Sequence, residues 1–258
     1  MQPKTEELMN LLLWTADSLT RPMFRNLTEG YENWSYRNGL ARQVVRLERG
    51  GWLEQSPDDD RQFRLTAKAR VHAMGGRDPE AEWARPWDGQ WYMILFDIPN
   101  DQNTQRVRLR RYLKEQGFGL VQNSVWVSAK PLDTEAEILN GGRANVGSML
   151  LLKASPCAGE SDTEIVQTAW DFDVINERYA EHDRILEARP NKPIVNEAAA
   201  ERMQEWSRQE RLAWISAVKQ DPLLPDALHP KGYAGPNAWR KRRRELTKVA
   251  KLMRDFTV

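Results

Sequence analysis

Between Ser35 and Arg49 the chain sets out Ser35, Tyr36, Arg37, Asn38, Arg42, Arg46 and Arg49. With Leu40, Val44 and Leu47 as the buried stripe of one helix, Asn38, Arg42, Val45 and Arg49 fall on its outward face. Arginine pairs bidentately with guanine and asparagine with adenine, each pair discriminating by roughly 1–3 kcal/mol. Residues early in such a helix, here Tyr36, Arg37, Asn38 and Arg42, are those that enter a major groove. Arg46 and Arg49, further along, suit phosphates, and Arg61 and Arg64 suit them from the β-ribbon that follows. Taken singly, each arginine fits an ordinary solvated helix face equally well. The Gly50-Gly51 stop and the ribbon behind it favour duplex DNA. Asp58, Asp59 and Asp60 at the ribbon's tip oppose deep insertion there, because phosphates repel them.

Asp97 raises a second chemistry. A carboxylate at the end of a strand can hold a divalent metal for phosphodiester cleavage when two subunits pair. Beside it stands only Asp101, so capping the next turn or pairing with Arg106 is the simpler role. His72, His182 and His229 are dispersed without metal-ligand spacing. The sequence contains no phosphate-cradling glycine loop and no nucleophile elbow. No metal site, cofactor or effector pocket is therefore assigned, and the chain reads as a binding protein rather than an enzyme. Two basic stretches remain, Arg106, Arg110 and Lys114 four apart, and the run Arg240 to Arg244. Either suits a solvated face, DNA or the phosphates of a ligand such as coenzyme A.

The elements that position these residues follow from periodicity. A first helix opens at Thr5 and ends before Pro22, and Ser35 is the N-cap of the helix running to Arg49. Trp52 to Glu54 and Gln62 to Leu65 form the ribbon, and Thr66 to Met74 a closing helix. Helix, turn, helix and ribbon is the order of a winged helix-turn-helix. Trp91 to Phe96 is a wholly apolar run of aromatic and branched residues, hence a buried strand. Thr104 to Glu115 is a helix burying Val107, Leu109, Tyr112 and Leu113, and Gly117 and Gly119 end it. Leu120 to Val127 and Met149 to Lys153 are further strands. Helical patterns then run from Thr163 to Pro190, from Glu197 to Lys219 and from Asn237 to Phe256.

The fold class is accordingly α+β. A winged helix-turn-helix occupies residues 1–75, a linker 76–86, a ferredoxin-like central domain 87–160 and a helical C-terminal domain 161–258. Lys and Arg number 38 against 37 Asp and Glu, so any affinity for nucleic acid must come from local clustering. A single cysteine, Cys157, excludes an internal disulfide framework. With an acidic N-terminus and no apolar run long enough to span a bilayer, the expected location is the cytoplasm, away from membranes.

Several segments together resemble the PaaX family of bacterial transcriptional repressors. They are Trp87 to Trp91, Phe96-Asp-Ile-Pro99, Arg106 to Leu113, Gly117-Phe-Gly119, Gln122 to Val127, Ala169-Trp-Asp171 with Tyr179, and Asp221-Pro-Leu-Leu-Pro225. The resemblance implies a homodimer that binds double-stranded operator DNA and represses catabolic genes. It also implies release from DNA by an acyl-coenzyme A such as phenylacetyl-coenzyme A. The central domain is in turn similar to the small ferredoxin-like nuclease subunit of CRISPR adaptation, where the counterpart of Asp97 is a metal ligand. That leaves a metal-dependent nuclease as the alternative reading.

Overall fold

The computed structural model describes residues 41–56, 59–73, 76–98, 103–132, 148–191 and 197–256, and the described chain is α+β. It divides into two compact units. One comprises Met1–Asp78, Tyr179–Ser216 and Gly235–Val258, the other Pro79–Arg178 and Ala217–Ala234. The expected helices at residues 5–21 and 35–40 and the segment 133–147 lie outside the described residues. No described helix is long and apolar enough to cross a membrane.

The sheet-bearing unit is built on β3 (Trp91–Asp97), β4 (Gly119–Gln122), β5 (Val125–Ser128) and β6 (Ser148–Ala154). Their order is β4-β5-β3-β6 and every pair is antiparallel. The β3–β6 register runs unbroken from Trp91 opposite Ala154 to Asp97 opposite Ser148. Alternation sends Ile94 and Phe96 of β3 to one face, where they meet Leu109, Tyr112 and Leu113 of the helix Asn103–Glu115, together with Phe118 and Trp126. Trp91 points the other way. Its indole donates to Asp162 Oδ1 at 2.7 Å, and its ring centre lies 4.9 Å from that of Trp87 and 6.0 Å from that of Trp170. Gly119 is fixed by this packing, since a Cβ there would come within 2.6 Å of the Trp170 ring.

Within the stretch read as a linker, Pro79–Trp83 is a short helix with Trp83 buried. Lys130 bonds Glu82 at 3.2 Å and Arg85 donates to the Ala129 carbonyl at 2.7 Å. The Asp221-Pro-Leu-Leu-Pro225 motif is a clasp in the same unit. Asp221 accepts from the amide of Leu223 and from the hydroxyl of Tyr233, which in turn accepts from the Trp83 indole at 3.0 Å.

The periodicity from Thr163 to Pro190 predicts one helix, but the structure breaks it into Asp162–Ala169 and Phe172–Glu187. Ser161 and Glu164 form a reciprocal capping box at the first N-terminus. Trp170 is extended, and Asp171 restarts the chain by accepting from the Val174 amide at 3.1 Å. The break turns Trp170 onto Gly119 and Trp91.

The other unit packs the end of helix Phe172–Glu187 with helices Glu197–Gln220 and Gly235–Phe256 around one buried carboxylate. Glu210 is wholly inaccessible. Arg242, itself 1% exposed, donates from Nε to Glu210 Oε1 at 2.6 Å, and His182 Nε2 lies 3.0 Å from the same oxygen. The guanidinium also sits over the ring of Trp214 at 4.9 Å. Burial pushes the Glu210 carboxyl up, but Arg242 and then His182 override it and hold it at about 2. Burial pushes His182 down, yet its bonds to Asp183 and Glu210 raise it above its ordinary 6.5.

These shifts act on stability in opposite limbs. The depressed Glu210 contributes above its ordinary 4.5, and the contribution fades as pH falls from there toward about 2. The elevated His182 contributes fully below 6.5, and that part fades as pH rises through its folded value. Urea unfolding should show the contribution of this pair greatest between about pH 5 and 6.5. His182→Asn should flatten the alkaline limb, and an undiminished alkaline decline in that variant would contradict the assignment.

Candidate nucleic-acid interface

The cationic helix whose end is described here, α1 (Ala41–Arg49), belongs to the unit containing Glu210. Leu47 is 2% exposed, whereas Val45 is 43% exposed and Arg46, Glu48 and Arg49 are exposed as well. The inward and outward assignments made for Leu47, Val45 and Arg49 therefore match their burial. Ser35, Tyr36, Arg37 and Asn38 fall outside the described residues. Arg42 lies in the first turn of described helix, seven residues before Arg49.

The helix stops for a defined reason. The Trp52 amide bonds the Leu47 carbonyl at 2.8 Å and the Gly51 amide bonds that of Glu48 at 2.9 Å. This is the Schellman pattern, with Gly51 in the left-handed position at φ +68°. Gly50 is required for a different reason, because a Cβ there would meet the Trp52 ring at 2.7 Å. The ribbon follows at once. Strands β1 (Leu53–Ser56) and β2 (Asp59–Leu65) pair antiparallel, with Leu53 opposite Leu65 and Glu54 opposite Arg64. Arg61 also lies on β2, and Asp58 falls outside the described residues.

Residues after the ribbon lock it to the helix end. Thr66 Oγ1 donates to the Gly51 carbonyl at 2.7 Å and accepts from the Ala69 amide at 3.2 Å, capping the next helix, α2 (Ala67–Ala73). Lys68 donates to the Gly50 carbonyl and rides over the Trp52 ring. A cation there also complements the negative C-terminal end of α1. The arrangement leaves α1 with an exposed cationic flank and a fixed ribbon beside its end, which suits contact with phosphates.

Three members of the basic run near the C-terminus have carboxylate partners. Arg242 is the buried partner of Glu210, Lys241 bonds Asp183, and Arg244 lies 3.4 Å from Glu245. The sequence leaves the run open to a solvated face, DNA or a ligand's phosphates. The signal for its buried member is Glu210, a carboxylate spaced four residues from both Trp206 and Trp214. A surface cleft of about 230 Å³ in this unit is lined by Asp183, Glu187, Arg189, Lys241, Arg244 and Glu245 among others, cations balanced by carboxylates.

At the end of β3, Asp97 is exposed. Arg106 donates to the Ile98 carbonyl at 2.6 Å. Among the described residues no group of three His, Cys, Asp or Glu is placed to hold a metal. The nuclease reading gains no support from this geometry. Cys157 is exposed in its turn.

Comparison with known proteins adds an independent line. Residues 84–166 match the family described as the PaaX protein central Cas2-like domain. The chain is similar to the transcriptional repressor PaaX of Escherichia coli strain K12, 26% identical over 211 residues. That alignment covers 76% of this chain and 63% of the repressor, a little under two thirds of its length. A solved structure of an uncharacterised protein from Mycobacterium tuberculosis matches with a TM-score of 0.50 at 20% identity, over 85% of this chain and 84% of that one. That likeness concerns the fold alone.

Replacing Gly51 with alanine forces a Cβ into the left-handed region, at roughly 1–2 kcal/mol. Thermal unfolding should register that loss, and a variant as stable as the wild type would show that the turn is not what ends α1.

Proposed function

We propose a sequence-specific DNA-binding repressor, supported by the similarity to the repressor PaaX and by the match of residues 84–166 to the Cas2-like central domain of that family. In this reading α1 is the later part of a recognition helix, and β1, β2 and α2 complete a winged helix-turn-helix. The four-stranded sheet and its helix form a ferredoxin-like core. One observation carries the proposal. A helix with Leu47 buried and Val45, Arg46 and Arg49 outward is stopped by a Schellman turn and followed directly by an antiparallel ribbon.

Each proposed contact has its own work. Tyr36, Arg37, Asn38 and Arg42 read base edges, with Ser35 capping the helix. Arg46 and Arg49 hold phosphates, and Arg61 and Arg64 do so from the ribbon. The resemblance further supports a homodimer. Two recognition helices would then lie about 34–36 Å apart, or a multiple of that, on a palindromic operator. It also supports release by an acyl-coenzyme A, which weakens DNA binding only by favouring the state that binds DNA less well. A regulator of this kind needs no catalytic residues.

The test is binding to duplex DNA across a salt series, with base preference measured by selection from a random pool. Arg42→Ala should lose roughly 1–3 kcal/mol of discrimination at one base position. Arg46→Ala and Arg49→Ala should each weaken all sequences alike and flatten the log–log salt slope by about 0.9. Base preference unchanged in Arg42→Ala would move the readout elsewhere. A wild-type affinity indifferent to salt would defeat the DNA-binding reading.

A further inference from the structure

Two further cationic helices among the described residues differ in how their charge is met. In Gly235–Phe256, Lys241, Arg242 and Arg244 each face a carboxylate, as described above. In α4, the helix Asn103–Glu115 that packs on the sheet, five cations stand against one carboxylate. The whole chain carries only +1, so this is a strong local excess.

Within α4 the cations also face each other. Arg106, Arg110 and Lys114 repeat at four residues, and Arg108, Arg111 and Lys114 at three. Like charges at these spacings cost an isolated helix roughly 0.2–0.5 kcal/mol per pair. The one counter-charge is Glu115, 3.9 Å from Arg111, with side chains 62% and 75% exposed, too solvated to offset the rest. Among the described residues, Arg108, Arg110 and Lys114 have no carboxylate partner, and Arg110 Nε is buried without a hydrogen-bond acceptor. Arg106 is committed to the Ile98 carbonyl. Leu109, Tyr112 and Leu113 bury the opposite side, so the outward arc presents Arg108, Arg111 and Lys114 around Val107, which is 57% exposed.

We propose that the outward arc of α4 is a second, sequence-independent DNA-contact surface that grips the phosphate backbone of the duplex through Arg108, Arg111 and Lys114. At a rise of 1.5 Å per residue these three form a row about 9 Å long. Phosphates advance 3.4 Å per nucleotide along one strand, so the row meets two or three of them. A polyanion relieves the self-repulsion that the described residues leave uncompensated, and arginine's fork fits phosphate oxygens. A row that follows the phosphates of one strand meets no base edge, so it adds affinity without preference.

This inference rests on the DNA-binding reading, and its test separates the two. The full-length triple variant Arg108→Gln, Arg111→Gln, Lys114→Gln is compared with wild type on duplex DNA from 50 to 200 mM salt. Arg208→Gln, an exposed arginine paired with Glu205, serves as the control. Three lost phosphate contacts should flatten the log–log slope by nearly three. The affinity gap between wild type and variant should then shrink roughly 40-fold across that salt range, with the ranking of sequences unchanged. Circular dichroism should match wild type and melting should not fall below it, because all three side chains are exposed and their mutual repulsion is lost. A steep wild-type slope left unchanged in the triple variant overturns the α4 surface and spares the head. The same unchanged slope with weakened binding of coenzyme A would assign α4 to the ligand instead. A wild type that binds no duplex overturns both.

Discussion

A carboxylate without solvent must be answered by charge and hydrogen bonds, and Glu210 is answered twice. Arg242 supplies a full positive charge at 2.6 Å and His182 a ring nitrogen at 3.0 Å on the same oxygen. The carboxylate and its two partners come from three helices distant in sequence, so satisfying one oxygen fixes the rotation of all three. The aromatic shell of Tyr179, Trp214 and Trp239 excludes water and raises the cost of losing any partner. Such a site contributes specificity of packing more surely than net stability, because desolvating the ions offsets much of their attraction.

That constraint also sorts the cations of the chain by role. An arginine with a buried carboxylate partner is part of the core, however basic its neighbours. An arginine on an outward arc with no partner remains available to an external anion. Among the described residues Arg242 belongs to the first kind, and Arg46, Arg49 and Arg108 to the second. Counting basic residues along the sequence cannot make this distinction. It requires knowing which helix faces which.

Local chemistry was readable where the determinants are local. The Gly50-Gly51 pair announces the end of α1, and Gly117 does the same for α4, where the Phe118 amide bonds the Leu113 carbonyl at 2.9 Å. The apolar run from Trp91 to Phe96 and the strand around Met149 to Lys153 needed only composition. Leu120 to Val127 reads as one alternating strand, but the chain turns at Asn123, at φ +45°, and divides it into β4 and β5, so the four-strand order was not legible. Elsewhere the determinant is distant. Arg242 and Glu210 are 32 residues apart, so nothing local in the run from Arg240 to Arg244 marks Arg242 as buried. The break at Trp170 is dictated by Gly119, which admits the indole, while the 3.6-residue periodicity continues through the break and conceals it. Asp171 was a legible cap whose meaning that periodicity masked. Of the candidate DNA contacts, α1's later residues are placed, and Ser35 to Asn38 rest on the sequence alone.

The central claim is that the outward face of α1 lies against double-stranded DNA. It is tested most directly by introducing Val45→Cys in a Cys157→Ser background and timing alkylation of the single thiol with and without saturating duplex. Val45 is well exposed in the free protein and sits between the proposed base-reading and phosphate-holding residues. The account predicts rapid alkylation of free protein and strong protection by duplex DNA. An alkylation rate indifferent to bound DNA would contradict it.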